Sequence, residues 1–105
     1  MDNFKNVNVD LSANIYYEGK VISRNIFLKD GTKKTLGVML IGEYEFNTVN
    51  KENMKIITGK LNLKLKGDNQ WKLISDGMEF DISKNSTFKV EVLEIVNYVC
   101  SYFED

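Results

Sequence analysis

The residues able to do chemistry concentrate in one stretch that runs through Glu43, Tyr44, Phe46, Thr48 and Glu52 and closes at Gly59. Tyr44, Phe46 and Thr48 alternate with Glu43, Glu45 and Asn47. This puts two rings and a hydroxyl on one face of a strand and polar groups on the other. After a polar turn at residues 49–51, Glu52 opens a second run, and Gly59 reads as the point where the backbone reverses. One carboxylate therefore lies beside an aromatic-lined strand. The chain has no histidine and a single cysteine, Cys100. The commonest general base near neutral pH, the commonest zinc, iron and copper ligand and the usual partner of a catalytic thiol are all missing. Bond-breaking must use carboxylates, hydroxyls, lysines, arginine or the backbone. Cys100 cannot form an internal disulfide and reads as a buried strand cysteine.

The elements that must position these groups are strands. Residues 1–14, rich in Asn and Asp, read as an N-terminal arm or a short edge strand. Residues 15–22 are β-branched and aromatic and read as one strand bulged at Gly19, with a further strand over 24–28. Asp30-Gly31 marks a turn, and the nearly all-apolar 35–41 reads as a central strand covered on both faces. Beyond Gly59, residues 60–66 alternate with their leucines inward. Runs at 70–75, 78–82 and 87–92 follow between polar turns, and 94–103 ends the chain with Tyr98, Cys100 and Tyr102 on one side. Short strands recurring about every 8–12 residues, with no amphipathic helix, indicate an all-β barrel or sandwich.

At 105 residues the chain suits one domain, here 15–105 with 1–14 as the arm. A net charge of -1 gives no basic field to attract a nucleic acid polymer, although a local anion pocket is compatible with it. There is no run of about 20 apolar residues for a membrane helix. The N-terminus lacks the basic start and apolar stretch of a secretory signal, so a cytoplasmic location is expected.

Two spacings resemble the motifs of cupins, small barrels of the jelly-roll or double-stranded β-helix kind. Glu52 and Gly59 match the closing glutamate-to-glycine step of the first motif, whose histidine places fall on Phe46 and Thr48. Gly77, Ser83, Asn85 and Phe88 stand at the glycine, proline, glycine and histidine places of the second. The chain resembles a cupin whose metal ligands have given way to an aromatic pair and a hydroxyl. A closer resemblance lies in an ordered set of segments: Tyr17-Glu18-Gly19-Lys20-Val21, Leu36-Gly37-Val38-Met39, Gly42-Glu43-Tyr44-Glu45-Phe46, Glu52-Asn53-Met54, Gly59-Lys60-Leu61-Asn62 and Tyr98-Val99-Cys100-Ser101-Tyr102. Over about residues 15–103 this set is similar to the pyrimidine/purine nucleoside phosphorylases of the cupin superfamily.

The resemblance implies an all-β, single-domain, cupin-like barrel. It also implies an enzyme that uses inorganic phosphate to split purine and pyrimidine nucleosides into free base and ribose 1-phosphate. No metal and no organic cofactor are expected, and the protein is expected to be a homodimer. Two positions depart from the family pattern: Lys33 stands where the family usually carries arginine, and Ser83-Lys84-Asn85 replaces a Val-Pro type of turn. A lysine still binds phosphate as a point charge.

Phosphorolysis passes through a ribosyl cation-like state, by analogy with glycoside cleavage, so positioning and electrostatics carry much of it. In this reading Phe46 and Phe88, with Tyr44, form an apolar slot for the flat face of the base. Every base has such a face, and stacking does not read its identity. Glu52 and Glu43 are the candidate catalytic carboxylates, accepting hydrogen bonds from the ribose hydroxyls or stabilising positive charge on the sugar. Alternation aims Glu43 away from Tyr44 and Phe46, whereas the cupin spacing aims Glu52 inward, and Gly42 leaves room for a bulge that would change the facing of Glu43. Lys33, Thr35 and Thr48 are the candidates for phosphate. Each has a plainer reading: Phe46 and Phe88 as core, Lys33 as a solvated hairpin residue, Glu52 as the surface start of a strand. The alternative functions are a non-catalytic cupin that binds a small ligand or a protein, and a metal-dependent dioxygenase or isomerase, which the missing ligands disfavour.

Overall fold

Two long strands organise the molecule, whose computed structural model describes residues 3–104. β6 (Lys51–Leu65) and β9 (Thr87–Phe103) run antiparallel along most of their lengths, from Lys51 opposite Phe103 to Leu65 opposite Phe88. On the far side of β9 lie β4 (Lys33–Met39) and β5 (Gly42–Asn47); on the far side of β6 lie β7 (Lys72–Ser75) and β8 (Glu79–Ile82). β3 (Val21–Phe27) pairs with β4, and both β1 (Asn8–Val9) and β2 (Asn14–Tyr16) pair with β3. Among the described residues all pairs are antiparallel, and together they make one nine-stranded sheet.

The sheet wraps around an aliphatic core because its spine bends. The register of β6 against β9 shifts three times between Ile56 and Leu61. Gly59 sits in this irregular stretch at φ 107°, and a β-carbon there would lie 2.3 Å from the Ile95 carbonyl oxygen and 2.8 Å from Val96 Cα. Only glycine lets the two backbones approach so closely. The reversal read at Gly59 is thus a bulge inside one continuous strand. The runs at 87–92 and 94–103 likewise join into β9. Ile56, Leu61, Leu63, Ile74, Ile82, Val90, Val92 and Val96 are almost wholly buried, from both arms of the bend.

Residues 15–22 are not one bulged strand. Tyr17, Glu18 and Gly19 take φ values of 51°, 57° and 92°, forming a short 3-10 turn that folds β2 back on β3 with Tyr16 opposite Val21. Their composition hides the turn, since tyrosine and glutamate seldom occupy the left-handed region. β4 is central in its pairing but not covered on both faces. Thr35, Gly37 and Met39 point inward, while Leu36 and Val38 remain 38% and 37% exposed.

Candidate active site

Side chains from six strands, β2, β3, β4, β5, β6 and β9, line a cavity of about 150 Å³. Phe46 on β5 and Phe88 on β9 are direct cross-strand partners, with ring centroids 5.4 Å apart and planes inclined by 34°. They form the aromatic wall. Further along the same strand, β9 supplies Tyr98, Cys100 and Tyr102, and β6 supplies Glu52 and Met54 opposite Tyr102 and Cys100. Thr35, opposite Cys100 from β4, completes a polar wall, and Tyr16, Val21, Ser23 and Asn47 close the remainder.

The polar wall is hydrogen-bonded within itself. The Cys100 thiol donates to Glu52 Oε1 at 3.4 Å, Thr35 Oγ1 and Tyr102 Oη lie 3.1 Å apart, and Asn14 Nδ2 donates to Ser23 Oγ at 3.2 Å. Burial raises the Glu52 carboxyl above its ordinary value, while the Cys100 hydrogen bond and the Lys33 charge pull it back. Burial, with Glu52 close by, pushes the Cys100 thiol up to about 12, so at neutral pH it is a hydrogen-bond donor and not a thiolate. Burial also raises the Tyr98 and Tyr102 phenols, keeping both protonated. Lys33 is exposed, with its ammonium 5.1 Å from the centre of the Tyr102 ring. It is a cation at the rim.

Of the residues singled out in the sequence, Phe46, Thr35, Glu52 and Phe88 line this cavity, and Lys33 stands beside it. Three do not line it. Glu43 is exposed opposite Glu91, because alternation carries it to the outer face and Gly42 introduces no register shift. Tyr44 is core, its hydroxyl donating to the Leu40 carbonyl at 2.7 Å. Thr48 is buried; its hydroxyl donates to the Ser83 carbonyl at 2.6 Å and accepts from the Ser86 amide at 3.0 Å, tying β5 to the loop before β9. The cavity roles of Tyr16, Ser23, Asn47 and Tyr98 were not visible in the sequence. Tyr98, Cys100 and Tyr102 share a face by period-2 spacing, but nothing local shows that this face meets Glu52.

Among the described residues, a nine-stranded antiparallel sheet folded over an inward-facing cavity makes a cupin-type barrel, here lined by an aromatic pair and a carboxylate. The fold recurs in the EutQ protein of Clostridium difficile, with a TM-score of 0.65 at 17% identity over 78% of this chain and 67% of that one. The chain belongs to the pyrimidine/purine nucleoside phosphorylase family, whose profile matches residues 11–102. It is 48% identical to a protein named pyrimidine/purine nucleoside phosphorylase from Chlorobium chlorochromatii (strain CaD3), over 97% of this chain and 98% of the relative. It is 44% identical to one of the same name from Leptospira interrogans serogroup Icterohaemorrhagiae serovar copenhageni, over 100% and 99% of the two chains. A crystal structure of a DUF1255 protein of unknown function from Acinetobacter sp. ADP1 superposes with a TM-score of 0.93 at 37% identity, covering 96% of this chain and 98% of that one.

Proposed function

We propose that this protein is a nucleoside phosphorylase acting in the cytoplasm on purine and pyrimidine nucleosides, with inorganic phosphate as co-substrate and no metal or organic cofactor. One observation carries the assignment of residues to roles: Phe46, Glu52 and Phe88, distant in sequence, line the same cavity. The base lies against the Phe46–Phe88 wall, held by a contact that any flat heterocycle makes. The C1′–N bond breaks with its electron pair leaving on the base, and a phosphate oxygen forms the new bond to C1′. Positive charge develops on the ribose between these events, and the Glu52 carboxylate stabilises it while accepting from the ribose hydroxyls. Lys33 and the Thr35 hydroxyl hold the phosphate. At about 150 Å³ the cavity is smaller than a typical small-molecule site of roughly 300–1,000 Å³, so phosphate waits at the mouth, where Lys33 stands, while base and sugar enter.

A second copy of the chain covers the outer face of β3 and β4, giving a homodimer. Supporting this, Ile22 is paired with Val38, and Leu36 lies two residues along on the same outer face, each 37–39% exposed in the single chain. The activity is tested by incubating purified protein with inosine or uridine, with and without phosphate. Base release that depends on phosphate is expected, and no release from any of several nucleosides would sink the reading.

A further inference from the structure

Among the described residues, β5 pairs with β9 alone, so its other edge has no strand beside it. Tyr17 occupies that edge. Its hydroxyl accepts the Glu45 amide hydrogen at 2.9 Å and donates to the Glu45 carbonyl, satisfying both groups of one residue as a neighbouring strand would. The Tyr17 ring lies 5.0 Å from Tyr44 and 5.8 Å from Phe46, edge-on to the latter at 84°. One residue earlier, Tyr16 faces the cavity that Phe46 also lines. Consecutive tyrosines thus face two ways. One reaches the cavity, and the other grips the strand that carries the aromatic wall.

The turn that produces this division uses backbone rarely held by such residues, with Tyr17 and Glu18 at φ 51° and 57°. Residues in this region persist when their surroundings over-determine them, and they cluster at ligand clamps. The Lys20 carbonyl, accepting from the Leu40 amide at 2.8 Å, ties the trailing side of the turn, and Tyr17 ties the leading side. We propose that Tyr17 is a positioning residue for nucleoside binding: its hydroxyl clamps the β2–β3 turn to β5 and so keeps Tyr16 and Phe46 in fixed relation around the base. The inference rests on the phosphorylase reading and adds a residue that does not line the cavity.

The test is Tyr17→Phe, which keeps the ring and removes the clamp. Phosphorolysis is measured with nucleoside and phosphate varied in turn, with inosine binding by calorimetry, melting temperature and amide exchange at Glu45 alongside. The expected result is a nucleoside KM raised about tenfold, as for loss of one well-placed hydrogen-bonding group, with the phosphate KM unchanged and faster exchange at Glu45. An unchanged nucleoside KM overturns the clamp, as does an equal rise in both KM values with a lowered melting temperature, which marks a merely structural role. Wild-type protein that neither binds nor cleaves any nucleoside overturns the phosphorylase reading and the clamp with it. Active wild type with an indifferent Tyr17→Phe overturns the clamp alone.

Discussion

The hydroxyl end of Tyr98 fills the space where a β-carbon at Gly37 would stand: such a carbon would lie 2.3 Å from Cζ and 2.4 Å from Oη. The two residues are cross-strand partners on β4 and β9, and the tyrosine lines the cavity. Gly37→Ala must therefore displace the ring. Overpacking of this kind costs about 1–3 kcal/mol, and the variant is expected to melt earlier and to lose nucleoside affinity. Denaturant titration and binding of inosine check the two effects.

Glu52 and Glu43 separate cleanly by position, one in the cavity wall and one exposed on the outer face of β5. Glu52→Gln removes the charge that opposes the developing ribosyl cation and is expected to lower kcat by roughly 10²–10³. Glu43→Gln is expected to leave the rate near wild type. Steady-state rates on both variants, with circular dichroism to show that each folds, decide between the two carboxylates.

Burial raises the Glu52 carboxyl, and the Cys100 thiol opposes the rise. The acid limb of kcat/KM is expected to be shifted upward from that of an exposed carboxyl, with activity falling as pH drops through it. Cys100→Ala removes the opposing hydrogen bond and should move the limb to higher pH, and Cys100→Ser should move it back. Stability has the opposite sense. A group whose folded pKa is raised contributes fully below its unfolded pKa, and that contribution is lost as pH rises through the folded value. Glu52→Gln is therefore expected to melt later than wild type near neutral pH, with the gain vanishing below the unfolded value of about 4.3. Melting curves across pH check the sign.

Val38 and Leu36 lie side by side on the outer face of β4 and remain partly open to solvent in the single chain. If a second copy covers them, Val38→Glu places a charge in the contact and should convert dimer to monomer. Light scattering on wild type and variant reads this directly. A wild-type particle with the mass of a single chain would remove the dimer.

The all-β architecture was legible because period-2 alternation and polar turns leave local marks. Gly59 and Tyr17 show where local marks mislead. A glycine between two strand-like runs looks the same whether the chain turns or merely bulges, and what decides it is the Ile95 backbone pressing from β9, 36 residues further along. Tyr17 carries no turn signature, because tyrosine seldom takes the left-handed backbone it has here. Phe46 and Glu52 were found through motif spacing, and the alternation argument aimed Glu43 outward, where it lies. Tyr98, Cys100 and Tyr102 share one face by period-2 spacing, which fits core or subunit contact equally, and only the β6–β9 register brings that face beside Glu52.

Half of the cavity-lining residues are carried by the two spine strands, with Glu52 and Met54 on β6 and Phe88, Tyr98, Cys100 and Tyr102 on β9. The architecture therefore tolerates change very unevenly. The hairpin at residues 66–71 contributes no lining residue to the cavity. A single residue inserted into β9 between Phe88 and Cys100 would turn one wall outward relative to the other, since a strand's side chains swap faces at every step. The two spine strands therefore carry one continuous reading frame for the cavity, and losing or gaining a residue in either would dismantle a wall rather than reshape it.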